Sequence, residues 1–210
     1  MQHLEDGRPR SEQQPTAAAE VRDPATVSAV REALGGRSIV LVGMMGAGKT
    51  SVGRRLAAGL DMPFVDADAE IERVADMSIP EIFERYGEEF FRDREARVVA
   101  RLLEEGQKVL ATGGGAWMNP ETRSRIAAAG VSVWLNAEFD VLLRRVKKRG
   151  GRPLLAKPDP EGTLRRLVEE RYPTYALADV TIASRDAPHE RTVSDLIEAL
   201  RAYRPAGTLS

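Results

Sequence analysis

The chain contains no cysteine, which excludes disulfides, thiolate metal sites and cysteine nucleophiles together and suits a reducing cytosol. Any metal must then sit on oxygen. Histidine is nearly as scarce: His3 and His189 lie far in sequence from every motif and read as surface residues. No apolar stretch approaches the ~18 residues of a membrane span. The start "MQHLEDGRPRSEQQPTAAAE" also lacks the charged start, apolar middle and cleavage pattern of a secretory signal. A soluble, cytoplasmic protein is expected. Net charge is missing too, with 31 Lys and Arg against 32 Asp and Glu, so nothing attracts nucleic acid or an anionic membrane over long range. The length of 210 residues leaves room for one α/β core and a tail, not for a second catalytic domain.

Residues 1 to about 25 are rich in Gln, Glu, Pro, Arg and Ala and have little to bury, so a disordered stretch is expected. Within the N-terminal tail, taken as 1–36, "DPATVSAVREALGG" allows a short helix over 24–34, with Asp23 as N-cap and Pro24 in the first turn. From Ser38 strand and helix alternate, which implies an α/β fold with a parallel sheet and crossover helices over 37–204, followed by a short tail at 205–210. "SIVLV" is a β-branched run suited to a strand covered on both faces. After the helix "KTSVGRRLAAGL", "PFVDAD" reads as a strand ending in acids, and "SIPEIFERYG" as a helix with a Ser78/Glu81 capping box. A long helix follows in "EEFFRDREARVVARLLEEG", with Phe91, Val98 and Leu102 near one face. "QKVLAT", "VSVWL" and "DVTIAS" supply further strands. "NPETRSRIAAAG", "AEFDVLLRRVKKR", "EGTLRRLVEERY" and "RTVSDLIEALRAY" supply the remaining helices, and "GGRPLLAKPDP" is a loop.

"GMMGAGKTS" matches G-x-x-x-x-G-K-[ST] at Gly43, Gly48, Lys49 and Thr50, directly after a strand and opening a helix. Glycines let successive N–H groups turn toward phosphate oxygens, and the helix adds its positive end. Lys49 supplies charge to the β- and γ-phosphates, and the Thr50 hydroxyl can ligate Mg²⁺. Met44 and Met45 have no role beyond covering the site. An N-K-x-D base-reading segment is absent, which argues against a regulatory GTPase, and the size argues against a motor. A small-molecule kinase remains.

In "VDAD", Asp66 and Asp68 stand two apart. If the strand continues through both, they face one side of the sheet at its C-terminal edge, where one can assist Mg²⁺ and the other can hold an acceptor hydroxyl. The other reading is a pair of helix-capping acids before "AEIERVA". Three successive glycines, Gly113 to Gly115, cost backbone entropy and suggest that a substrate approaches the main chain there. The run "RRVKKRGGR", from Arg144 to Arg152, permits a nucleic-acid patch, but no aromatic platform is interleaved with it.

These segments are similar to those of shikimate kinases over about residues 37–200, through "GMMGAGKTS", "DADAEIE", "SIPEIFERYGEEFFRDRE", "ATGGGA", "RPLL" and "ERYPTY" in order. The resemblance implies a P-loop NTPase fold of the nucleoside-monophosphate-kinase type: a five-stranded parallel sheet flanked by helices, with a mobile lid at about 150–160. It implies phosphorylation of the 3-hydroxyl of shikimate by ATP, with one Mg²⁺ bound alongside the nucleotide, in chorismate and aromatic amino acid biosynthesis. By the same resemblance Asp68 binds the acceptor hydroxyls and acts as base, Arg92 and Arg171 hold the acceptor carboxylate, and Gly114 and Gly115 offer backbone contacts. Gly46, Ala47, Gly48, Lys49, Thr50 and Ser51 bind ATP, Arg152 reaches its phosphates from the lid, Arg145 lies near the adenine, and Asp66 joins Thr50 at the metal. Small-molecule partners and a monomer are expected. A gluconate kinase is the alternative enzyme, separated from this reading by "GGGA", "FFRDRE" and "ERYPTY".

Overall fold

The computed structural model describes residues 23–149 and 158–204. Ser38–Val42 form β1, buried at every position as its β-branched run requires. Around it Phe64–Asp66 (β2), Val109–Ala111 (β3), Gly130–Asn136 (β4) and Val180–Ala183 (β5) make a five-stranded sheet in the order β2-β3-β1-β4-β5, with every pairing parallel. The register pairs Leu41 and Asp66 with the same Ala111. The loops after β1, β2 and β3 therefore leave the sheet side by side at its carboxyl edge, where open α/β sheets bind ligands.

Helix α1 spans Pro24–Leu34, capped by Asp23 as its sequence suggests. It does not stand apart from the domain. Val30 and Leu34 are fully buried in the main core, and Arg31 donates to the carbonyls of Leu60 (3.0 Å) and Asp61 (2.6 Å) at the end of α2, Lys49–Leu60.

The strand expected over "PFVDAD" ends sooner, at Asp66. Asp66 is the N-cap of α3, Ala67–Ala75, and its carboxylate accepts from the Asp68 N–H at 3.1 Å. Asp68 thus lies in a helical first turn, and the two acids are not alternate residues of one strand. A short acidic side chain that satisfies an orphan helix donor ends the strand here.

Helix α4 runs from Ile79 to Glu104 behind the Ser78/Glu81 capping box. It breaks at Gly87, whose φ of 79° and ψ of 175° are non-helical, so the two helices read from sequence join without an intervening loop. Its buried face carries Phe91, Glu95, Val99, Leu102 and Leu103; Val98, expected there, is only half-buried. Phe91 joins Ile71 and Ile82 in a small separate cluster between α3 and α4. Helices α5 (Pro120–Ala129), α6 (Phe139–Arg149), α7 (Pro160–Tyr175) and α8 (His189–Ala202) complete the described fold. Helix α7 continues through Pro173 to Tyr175, beyond the sequence expectation, because its last turn is anchored from outside. Trp117 Nε1 donates to the Thr174 carbonyl at 2.9 Å, and Tyr175 is fully buried.

Candidate active site

The P-loop follows β1 and ends in α2, with Gly43, Gly46 and Gly48 all at positive φ. Lys49 Nζ reaches back over the loop to the carbonyls of Gly43 (2.7 Å) and Met44 (3.1 Å). Met44 and Met45 are part of the core. Thr50 Oγ1 donates to Asp66 Oδ2 at 2.7 Å, so the start of α2 and the end of β2 bring two oxygens together at the mouth of the loop. That donor chemistry fits Mg²⁺, a hard cation that prefers oxygen and keeps several positions for water and phosphate. Among the described residues no group of three or more His, Cys, Asp or Glu gathers to cage a metal.

Across the cleft, Asp68 Oδ1 lies 2.7 Å from where a Cβ on Gly113 would stand. Glu95 Oε1 occupies the same space, and the Arg92 guanidinium covers Gly115. Any side chain at 113 or 115 would strike these groups. The sequence reading gave the close approach to a substrate; in the structure the atoms pressed against Gly113 and Gly115 are this chain's own acids and guanidinium. Gly114 packs against the P-loop backbone instead, with its Cβ position 3.4 Å from Met45 N.

Glu95 is 2 % exposed and joins Arg92 Nη1 at 2.7 Å. Burial pushes its carboxyl above the ordinary range, and Arg92 opposes that shift. Burial alone would lower the Arg92 guanidinium, yet Glu95 and Glu88 beside it leave it raised, so it stays charged. Glu88 holds the other edge of Arg92, accepting from Nη2 at 3.0 Å. From α7, Arg171 Nη1 donates to the Gly114 carbonyl at 3.0 Å, and the Tyr175 hydroxyl donates to the same oxygen. Arg92, Arg171, Glu95, Gly115 and Asn119 line one cleft of about 280 Å³. Two guanidinium groups in one small cleft suit a planar carboxylate, which accepts paired N–H donors.

Arg145 reaches the P-loop from outside. Its Nη1 donates to the Gly46 carbonyl (3.2 Å) and to Ser184 Oγ (3.0 Å). Two of its charged neighbours have acidic partners, Arg144 with Asp186 at 2.8 Å and Lys147 with Glu161 at 3.5 Å. His189, read as remote from the motifs, is not: its Cε1 lies 3.5 Å from the Cβ position of Gly48, because the β5–α8 connection returns to the P-loop. Ser51 lies in the first turn of α2. Arg152 and residues 150–157 of the expected lid lie outside the described residues, as do the tail at 1–22 and the C-terminus from 205. Sequence reasoning missed Glu95, Ser184 and Trp117. Only Glu95 left a signal, as an acid four residues after Phe91 on the apolar face of its helix.

The model of the shikimate kinase family matches residues 45–201. The chain belongs to the shikimate kinase family. A shikimate kinase of Bradyrhizobium diazoefficiens is 64% identical over 174 residues, which is 83% of this chain and 84% of that protein. One of Rhodopseudomonas palustris is 61% identical over 193 residues, 92% of this chain and 94% of the relative. Among solved structures, the shikimate kinase of Acinetobacter baumannii in complex with shikimate superposes with a TM-score of 0.78 at 37% identity, covering 82% of this chain and 97% of that one. A gluconokinase of Sinorhizobium meliloti shares the fold alone, with a TM-score of 0.54 at 20% identity over 80% of this chain and 93% of that one.

Proposed function

We propose that this member of the shikimate kinase family transfers the γ-phosphoryl group of ATP to the 3-hydroxyl of shikimate, yielding shikimate 3-phosphate for chorismate and aromatic amino acid biosynthesis. The observation that carries this reading is the cleft lined by Arg92, Arg171 and Gly115, with Asp68 pressed against Gly113 two residues away in the same glycine run. A phosphate cradle alone would serve many acceptors; two guanidinium groups facing an acid select a hydroxylated carboxylate.

Arg92 and Arg171 hold the acceptor carboxylate, Gly114 and Gly115 offer it backbone contacts, and Asp68 orients the hydroxyl and takes its proton. The hydroxyl oxygen then bonds to the γ-phosphorus in line as the bond to the β–γ bridging oxygen breaks, and ADP leaves. Gly46 to Ser51 hold the nucleotide phosphates, with Lys49 neutralising developing charge and Arg145 on the nucleotide side. Arg152 adds a further positive charge at the same phosphates. Thr50 and Asp66 would hold Mg²⁺, which when bound with ATP supplies further charge neutralisation. The working form is a cytoplasmic monomer with small-molecule partners.

A coupled ADP-release assay with MgATP tests this against shikimate, gluconate, nucleoside monophosphates and no acceptor. Release that depends on shikimate alone is expected. Equal release with gluconate, or release without acceptor, would overturn the choice of acceptor.

A further inference from the structure

A P-loop works only if its N–H groups point at phosphate, and one buried hydroxyl outside the motif bears on that orientation. Ser184, the residue after β5, is 2 % exposed. Its N–H donates to the Asn136 carbonyl at the end of β4 at 2.7 Å, so the sheet fixes its position. Its Oγ donates to the Ala47 carbonyl at 2.8 Å and accepts from Arg145 Nη1 at 3.0 Å. The same Nη1 donates to the Gly46 carbonyl at 3.2 Å, and Nη2 holds the Arg185 carbonyl at 2.7 Å. Two successive P-loop carbonyls are thus held from behind.

A trans peptide is planar, with its C=O and N–H on opposite sides, and the described chain has no cis bond. The Ala47 carbonyl and the Gly48 N–H share one such plane. Holding the carbonyl toward Ser184 turns the Gly48 N–H away from it. Gly48 is the N-cap of α2, so this N–H lies at the positive end of the helix where anions bind. Ala47 is fully buried, and without the hydroxyl its carbonyl must find another donor or rotate.

We propose that Ser184 is a positioning residue for the nucleotide: its hydroxyl locks the Ala47–Gly48 peptide so that the Gly48 N–H faces the phosphates. This rests on the reading that the P-loop binds ATP. Calorimetric titration of the full chain with MgADP, and separately with shikimate, tests it. Ser184→Ala should weaken ADP about tenfold, as expected for one misdirected buried hydrogen bond. It should leave shikimate within about twofold, and Ser184→Thr, which keeps the hydroxyl, should stay within about threefold of the wild type for ADP. Should the alanine variant not fold, Ser184→Cys keeps the volume with a much weaker donor and carries the same expectation. ADP affinity unchanged by removal of the hydroxyl would overturn the proposal, as would equal weakening of both ligands without rescue by threonine, which marks a structural role. No acceptor is needed for the ADP titration. A wild type that binds ADP but leaves shikimate unphosphorylated would therefore overturn the acceptor assignment and not this one.

Discussion

Around the P-loop the chain works with its backbone, and around Asp68 it works with charged side chains. On the nucleotide side, glycines at positive φ turn the main chain, Met44 and Met45 sink into the principal core, and Arg145 and Ser184 hold carbonyls from behind. On the acceptor side, Arg92 is stretched between Glu88 and the buried Glu95, on a helix broken at Gly87 and supported by the small cluster of Ile71, Ile82 and Phe91. Phosphate is bound through groups every residue possesses, so geometry must supply the selectivity. A particular hydroxy acid needs particular side chains, so here charged groups carried on helices must supply it.

The sharpest way to break this division is at Asp68. Asp68→Asn keeps the size and removes the base, so turnover should fall about a thousandfold, within the usual range for a lost general base, while ADP titration stays close to the wild type. Near-normal turnover would remove Asp68 from the chemistry, and lost ADP binding would show that the two walls are not separable.

A smaller effect is expected from Arg92→Lys and Arg171→Lys. Each replaces a forked donor with a point charge and should raise KM for shikimate about tenfold to a hundredfold with KM for ATP little changed. Equal increases in both constants would contradict the assignment of these arginines to the acceptor alone.

The smallest effect concerns Glu95. Its folded-state pKa lies above the ordinary 4.5 because burial disfavours its charge. The folded chain therefore binds that proton more tightly than the unfolded chain, and ionisation costs stability that begins to be lost above about pH 4.5 and is fully lost above the raised folded value. Melting temperatures of the wild type and Glu95→Gln, followed upward from pH 4.5, should diverge in favour of the variant as the wild type loses that stabilisation. Parallel curves would contradict a raised Glu95 pKa in the folded chain.

The same division governs what was legible in the sequence. Lys49, Thr50 and the parallel strands stood out because backbone-driven sites require fixed spacing and recurrent glycine. Arg92 and Arg171 did not stand out from the other arginines except through family resemblance, since no local pattern marks a side chain whose purpose is fixed by tertiary contact. The end of β2 was misread because Asp66 is both strand terminus and helix cap, and period-two spacing cannot distinguish a continued strand from a first helical turn. Ser184 and His189 meet the P-loop only through the sheet order, which places β5 two strands from β1. No reading of their neighbours in sequence could supply that.

The most direct test of the acceptor wall is to incubate the chain with MgATP and shikimate and follow the products by phosphorus NMR. One new phosphate monoester, coupled to the proton on carbon 3 and formed in step with ADP, is the predicted result. ADP appearing with inorganic phosphate and no ester, or an ester on another hydroxyl, would contradict the placement of Asp68 beside the 3-hydroxyl.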